Sequence, residues 1–127
     1  MECHAVRVVG IGFRAAADLA SLQDVLQQVL QIADVTGIDA VATEAAKARE
    51  HVFREFAQVL GVPGLGVTTR DLGQMITPTQ SERIKDRFGT GSLAEAAALV
   101  TAGPEARLVA PRVVSRDGMA TAALAES

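Results

Sequence analysis

The sequence predicts a three-layer α/β/α domain with a mixed sheet of about five strands. Short apolar runs alternate with longer segments of helical period, an order that requires parallel strands joined by crossover helices. Asp117-Gly118, near the C-terminal end, is typical of a hairpin turn and predicts one antiparallel strand. The length of 127 residues fits one hydrophobic core, so we treat residues 1–127 as a single domain.

The predicted strands are short apolar, mostly β-branched runs bounded by glycine, proline or turn residues. They cover residues 5–11, 38–43, 65–68, 107–110 and 119–124, and an extension of the fourth strand past Pro111 to residue 114 stays open.

The predicted helices have apolar residues at helical spacing and begin at residues that can cap a first turn. Two of the caps, Thr79 with Glu82 and Ser92 with Glu95, have capping-box spacing. The helices cover residues 21–34 with Ser21 as N-cap, 45–60 with Gly61 as C-cap, a short turn from Thr69 to 75, 79–88, and an alanine-rich segment from Ser92 to about 103.

Composition excludes several classes of protein. Hydrophobic residues make up 49% of the chain, which excludes disorder, and the four aromatic residues are all Phe, so the core must be aliphatic. A net charge of −3 argues against a nucleic-acid partner. No apolar run approaches the roughly 20 residues that span a membrane. Cys3 is the only cysteine, and the first residues lack the basic and then apolar layout of a signal peptide, so we expect a cytoplasmic protein.

The segment Gly10-Ile11-Gly12-Phe13-Arg14 follows the first strand and predicts a ligand site at the carboxyl edge of the sheet. Glycine lets a ligand approach the backbone, and arginine offers a charged fork to carboxylate or phosphate. Dinucleotide binding is not favoured, because Ala15 stands where a third glycine is needed and no acidic residue closes a second strand that ends at Thr43. The alternative is a simple chain turn with Arg14 on the surface.

Thr43, Lys47 and Glu50 follow the second strand, whose carboxyl end lies at the same sheet edge. Either Thr43 and Lys47 join Arg14 in a site, or Thr43 caps the helix and Lys47 and Glu50 form an exposed ion pair. Gly89-Thr90-Gly91-Ser92 precedes a helix, where free N–H groups and hydroxyls favour an anion. The alternative is a capping box in which Glu95 uses that positive end.

Nucleophilic and metal chemistry have little support in the sequence. His4 lies beside the N-terminus, His51 has no ligand partner at helical spacing, and no Cys/His/carboxylate cluster has zinc spacing. We therefore predict no metal and no cofactor. Glu50 and Glu95 are the acid/base candidates.

Five segments in chain order resemble a known family. They are Val9-Gly10-Ile11-Gly12-x-Arg14, Thr43-x3-Lys47-x2-Glu50, Ser81, residues 89–98 and residues 119–123. They resemble the CobE family of the aerobic cobalamin pathway, which is related to the C-terminal domain of CbiG, the cobalt-precorrin-5A hydrolase. Two positions depart from the family: Arg112 follows Pro111 where the family often has Lys, and Phe13 replaces a smaller residue. The chain looks like the stand-alone form, without the N-terminal region of CbiG.

The resemblance implies a role in corrin synthesis and a precorrin as ligand, bound by Gly10, Gly12, Arg14, Thr43, Lys47, Ser81, Thr90, Gly91 and Ser92. Three hypotheses stay open: a carrier or accessory that binds the intermediate, a hydrolase that opens a ring-A lactone as CbiG does, and a module that docks onto another enzyme of the cobalamin pathway.

Overall fold

The computed structural model describes residues 6–88 and 92–127, with the side chains of 86–88 excepted. Five strands form one sheet in the order β3-β2-β1-β5-β4. β1, β2 and β3 are parallel, and β5 runs antiparallel to both β1 and β4. The mixed α/β sheet with its C-terminal hairpin is thereby confirmed. The strands are β1 Arg7–Phe13, β2 Ala40–Glu44, β3 Gly64–Val67, β4 Arg107–Val114 and β5 Ala120–Glu126.

Helices cover both faces of this sheet. α1 and α2 pack on one face, against apolar side chains of β1 such as Val9 and Ile11. α3 and α5 pack on the other, with Val8 and a set of buried alanines. The helices are α1 Leu19–Ala33, α2 His51–Leu60, α3 Thr69–Gly73, α4 Glu82–Phe88 and α5 Leu93–Ala102, and a 3₁₀ turn covers Lys47–Arg49. No helix within the described residues is long and apolar enough to cross a membrane.

The contact between β1 and α5 depends on Gly10. A Cβ atom at Gly10 would overlap the carbonyl oxygen of Ala94 and would lie 2.7 Å from the backbone nitrogen of Ala98. Only glycine lets this helix backbone approach the strand so closely. The alanine-rich sequence of α5 serves the same purpose, because Ala96, Ala97 and Ala98 are fully buried without holding the helix away from the sheet.

Several predicted boundaries are wrong by a few residues, because strand pairing lengthens two elements at their C-terminal ends and a local carboxylate contact delays the start of a third. β1 continues to Phe13 because that residue pairs with Ala120 of β5. β2 ends at Glu44, one residue beyond the predicted Thr43, because Glu44 pairs with Val67 of β3. The predicted 45–60 helix begins only at His51, since the Glu44 carboxylate accepts the backbone N–H groups of Ala46 (2.8 Å) and Lys47 (3.2 Å) in a separate turn.

Two predicted N-caps are also wrong. α1 is capped by Asp18, whose side chain accepts the N–H of Ser21 at 3.0 Å, so that Ser21 is the third helical residue. α3 is capped by Thr68 and not by Thr69, because the Thr68 hydroxyl accepts the N–H of Asp71 at 3.2 Å.

The two predicted capping boxes form only in part. Ser92 caps α5 as predicted and accepts the N–H of Glu95 at 3.3 Å, but the Glu95 carboxylate turns to other donors. Before α4, Ser81 and not Thr79 accepts an N–H of the first turn, that of Ile84, at 3.4 Å. The Glu95 carboxylate and the Thr79 hydroxyl, which the predicted capping boxes would have used locally, form a hydrogen bond with each other.

Candidate functional site

A cleft of about 520 Å³ lies where β1 ends and β5 begins. That volume is within the range of small-molecule sites. The cleft is at the carboxyl edge of β1, the edge at which open α/β sheets bind ligands. Its described lining residues come from both strands, from β4 and from the helical segments above them: Gly12, Phe13, Arg14, Ala15, Lys47, Ser81, Arg83, Ile84, Leu93, Arg112, Val114, Gly118, Met119, Ala120 and Thr121.

The lining of the cleft is basic. Arg14, Lys47, Arg83 and Arg112 reach it from four separate segments, and none of its described lining residues is acidic. No ion pair joins the three guanidinium groups to a carboxylate among the described side chains. The whole chain has a net charge of −3, so this local concentration of positive charge opposes the overall sign. Such an arrangement attracts an anion, and arginine favours a carboxylate or phosphate in particular.

Lys47 is held at the boundary of the cleft by Phe13. Its Nζ donates a hydrogen bond to the Phe13 carbonyl oxygen at 2.6 Å and lies 4.7 Å from the centroid of the Phe13 ring. The Phe13 ring in turn stacks on Phe53 of α2, with centroids 6.3 Å apart. The ammonium group therefore has a defined position before any ligand arrives.

The remaining surface of the cleft is mostly apolar. Phe13, Ile84, Leu93, Val114 and Met119 contribute hydrophobic side chains, and Ser81 and Thr121 contribute hydroxyls. The cleft therefore combines an apolar surface with cationic groups, which suits a ligand with a hydrophobic body and an anionic periphery.

Four of the predicted site residues lie together in this cleft: Gly12, Arg14, Lys47 and Ser81. Gly12 leaves room for Thr121, whose hydroxyl would lie 2.6 Å from a Cβ atom at that position. Thr90 and Gly91, the predicted anion loop, are outside the described residues.

Gly10, Thr43 and Ser92 are buried in the structure and are not among the lining residues. Gly10 lies against the backbone of α5, and Ser92 caps that helix. Thr43 is fully buried in β2, and its hydroxyl has no hydrogen-bond partner among the described residues. All three were predicted ligand contacts. In the structure Gly10 packs against α5, Ser92 caps that helix and Thr43 lies in the core.

The two acid/base candidates lie in different surroundings. Glu50 lines a smaller cavity of about 160 Å³, which shares Phe13, Ala15 and Lys47 with the cleft. Glu95 is fully buried, and its carboxylate accepts hydrogen bonds from Thr79 and from the backbone of Arg112. Neither glutamate is among the described lining residues of the cleft.

Sequence reasoning missed two of the four basic groups. Arg112 was noted only as a departure from the resembled family, and Arg83 gave no signal, because an arginine on a short helix is ordinary. The sequence argument against a dinucleotide also needs correction, since an acidic residue, Glu44, does close β2. That carboxylate is already engaged by the N–H groups of Ala46 and Lys47, and the space beside Gly10 is filled by α5.

The hairpin turn that borders the cleft is fastened by Asp117. Its carboxylate accepts hydrogen bonds from the hydroxyls of Ser115 and Ser21, both at 2.5 Å, and from the backbone N–H of Met119 at 3.0 Å. The Ser115 hydroxyl, followed by that of Ser21 and the N–H of Met119, lowers the pKa of this carboxyl below its ordinary value of 3.8. The Asp117 carboxylate thus connects the wall containing Gly118 and Met119 to α1.

The described residues contain no group of three or more His, Cys, Asp or Glu side chains placed to hold a metal ion.

Comparison with known proteins agrees with this architecture. The family model described as cobalamin synthesis G C-terminus matches residues 7–125. A search of curated proteins gives no match. Among solved structures, the cobalamin biosynthesis protein chiG from Agrobacterium tumefaciens str. C58 is 35% identical, with a TM-score of 0.73 over 94% of this chain and 97% of that chain. CobE, a protein from the cobalamin (vitamin B12) biosynthetic pathway, has the same fold, with a TM-score of 0.81 at 24% identity over 100% of this chain and 97% of that chain.

The family match spans nearly the whole chain, including the two strands and the hairpin that form the cleft. The resemblance noted from the five sequence segments is confirmed. The chain belongs to the CobE/CbiG C-terminal family and is a cobalamin biosynthesis protein.

Proposed function

We propose that this protein binds an anionic precorrin or corrin intermediate in the basic cleft and acts as a carrier or accessory of the cobalamin pathway. The observation that carries the proposal is the set of four cationic side chains around an apolar surface, in a chain whose net charge is negative. The family membership indicates the pathway, and the lining of the cleft indicates that the ligand has an apolar body and anionic groups.

Precorrins carry carboxylate side chains around a large macrocycle. Arg14, Lys47, Arg83 and Arg112 come from separate segments and therefore approach the cleft from different directions, as recognition of several carboxylates on one ring requires. Charge-assisted hydrogen bonds of this kind are about twice as strong as neutral ones. The apolar lining residues, Phe13, Ile84 and Met119 among them, would contact the ring itself.

Binding is favoured over hydrolysis because the described lining residues include no carboxylate, imidazole or thiol. Opening a lactone with water requires a group that takes up the proton of the attacking water. Ser81 and Thr121 offer hydroxyls, and Lys47, the lysine among the described lining residues, has its Nζ engaged with the carbonyl oxygen and the ring of Phe13.

Titration of the purified protein with precorrin intermediates and with cobyrinic acid, a stable corrin polycarboxylate, tests the proposal. Absorbance reports binding, and mass spectrometry of the recovered ligand reports any reaction. Cobinamide is the matched control ligand, because amides replace the carboxylates on the same ring. We expect saturable, salt-sensitive binding of cobyrinic acid with its mass unchanged, weak binding of cobinamide, and weaker binding of cobyrinic acid by R14A.

Other outcomes select the other hypotheses. A changed mass of a precorrin would establish a hydrolase or another enzyme of the pathway. No binding of any corrin, together with capture of a cobalamin-pathway enzyme, would favour a docking module. Equal binding of cobyrinic acid and cobinamide would show that the basic groups do not recognise carboxylates.

A further inference from the structure

Glu95 is a buried residue whose carboxylate binds two of the segments that form walls of the cleft, one at Thr79 and one at Arg112. It is fully inaccessible to solvent, and its carboxylate accepts three hydrogen bonds. Oε1 accepts the backbone N–H of Thr79 at 2.8 Å, and Oε2 accepts the Thr79 hydroxyl at 3.1 Å and the backbone N–H of Arg112 at 3.0 Å. A buried carboxylate is costly unless its oxygens are satisfied, so this arrangement holds both donor segments in place.

The N–H of Arg112 is available to Glu95 because β4 is irregular at this point. Ala110 pairs with Leu124 and Val113 pairs with Ala122, so β4 has one more residue than β5 between these two pairs. This bulge contains Pro111 and Arg112 and takes the Arg112 N–H out of the regular pairing. The Glu95 carboxylate, which belongs to α5, accepts that N–H and so fixes the backbone from which the Arg112 side chain enters the cleft.

The other wall is the segment 77–85, which carries Ser81, Arg83 and Ile84 into the cleft. Thr77 and Gln80 form hydrogen bonds within this segment. Among the described residues, the hydrogen bonds that join it to another element all end at Glu95, through the N–H and hydroxyl of Thr79. Buried Thr77 and the apolar packing of Ile84 support the segment but give it no directional contact with β4.

We infer that Glu95 is a positioning residue, which sets the separation between Arg83 and Arg112 by binding both walls through one carboxylate. The inference rests on the proposed function, because its consequence is the affinity for a polycarboxylate that contacts both arginines. Glu95 lies behind the cleft and acts through Thr79 and the Arg112 backbone. It thereby differs from the acid/base role that the sequence left open for it.

A carboxylate is required because all three partners act as donors and two of them are backbone N–H groups. The variant E95Q keeps the volume of the side chain but turns one acceptor into an N–H donor. Whichever way the amide is oriented, it faces the N–H of either Thr79 or Arg112 and leaves it without an acceptor. The variant T79V removes one donor and keeps the backbone bond, so its effect should be smaller.

The test compares wild type, E95Q, T79V and the control T68A at a temperature at which all four are folded. Thr68 caps α3, so T68A loses a helix cap while the contacts of Glu95 stay intact. We expect the affinity of E95Q for cobyrinic acid to fall by about tenfold, against about twofold for T79V, while T68A binds as wild type. Amide hydrogen exchange of the free proteins should become faster at Thr79 and Arg112 in E95Q but stay unchanged there in T68A.

The outcomes separate this inference from the proposed function. Wild-type affinity of folded E95Q, or an equal loss of affinity in T68A, would overturn the positioning role. If wild type binds no corrin, the proposed function fails, and exchange decides the inference: selective loss of protection at Thr79 and Arg112 supports it, and uniform or unchanged protection refutes it. If E95Q does not fold, T79V is judged by the same affinity and exchange measurements against T68A.

Discussion

The Nζ atom of Lys47 lies 2.6 Å from the carbonyl oxygen of Phe13 and 4.7 Å from the centroid of the Phe13 ring. Phe13 at the end of β1 thus holds the ammonium group of Lys47 at the edge of the cleft, although α1 and β2 separate the two residues along the chain. The position of Lys47 is set by the backbone end of β1, the strand that also delivers Arg14. The contact makes Lys47 a preorganised element of the proposed anion site.

K47M should weaken the binding of cobyrinic acid by about tenfold, the size expected when one charge-assisted hydrogen bond is lost. The affinity is measured by absorbance titration at low salt, where exposed charges are least screened. K47R is the matched control, because it keeps the charge but changes the donor geometry, and it should bind between wild type and K47M. Unchanged affinity in K47M would remove Lys47 from the site.

R83A should weaken the binding of cobyrinic acid several-fold and reduce its dependence on salt, because Arg83 lines the cleft from α4. R54A is the control, since Arg54 is an exposed arginine on α2, which packs on the other face of the sheet. Both variants change the net charge by the same amount. Equal effects of R83A and R54A would mean that overall charge, and not the cleft, attracts the ligand.

G10A should destabilise the protein by about 3 kcal/mol or more, because the added methyl group meets the backbone of α5, which has no rotamer with which to move away. Urea denaturation measures the free energy of unfolding. G37A is the matched control: nothing lies within 4 Å of a Cβ atom there, so its stability should stay within about 0.5 kcal/mol of wild type. A stable G10A would contradict the close β1–α5 contact.

T43V should raise the free energy of unfolding by about 1 kcal/mol, since the buried Thr43 hydroxyl has no partner among the described residues and valine has nearly the same shape. The same variant tests the prediction that Thr43 binds the ligand. Unchanged affinity for cobyrinic acid would confine Thr43 to the core. A loss of affinity for cobyrinic acid without a loss of stability would support Thr43 as a ligand contact.

D117N should make thermal stability less dependent on pH in the acid range. The folded-state pKa of Asp117 is lowered below 3.8, so the ionised carboxylate stabilises the fold fully above that value. This contribution disappears as the pH falls through the lowered folded-state pKa. The difference in Tm between wild type and D117N should therefore be largest near about pH 6 and shrink toward about pH 2. A difference that grows on acidification would contradict the assigned sign.

The sequence predicted the α/β class, the C-terminal hairpin and the family from local patterns. Ser92 and Gly61 were identified correctly as caps because a cap is decided by residues a few positions away. Ser21 and Thr69 were assigned incorrectly, because Asp18 and Thr68 offer the same local chemistry to neighbouring N–H groups. The exact start of a helix depends on which of several adjacent oxygens the surrounding structure leaves available.

The cleft was foreseen only in part. Gly12, Arg14, Lys47 and Ser81 meet there, as the parallel arrangement of β1 and β2 and the resemblance predicted they would. Arg83 and Arg112 join them because α4 and the β4 bulge come to the same edge of the sheet, which no spacing along the chain reveals. Gly10 faces the same side of the sheet as Gly12 but lies outside the cleft, because the backbone of α5 at Ala94 fills the space beside it.

By itself, the sequence determined the alternation of strands and helices, the turn at Gly118 and the alanine-rich surface of α5, because these depend on backbone preferences and side-chain period over a few residues. Only the tertiary structure decided that Glu95 leaves its own capping box to bind Thr79 and Arg112. Burial is the physical reason. A carboxylate that is excluded from water needs hydrogen-bond donors, and only folding brings Thr79 and Arg112, which are distant in sequence, within its reach.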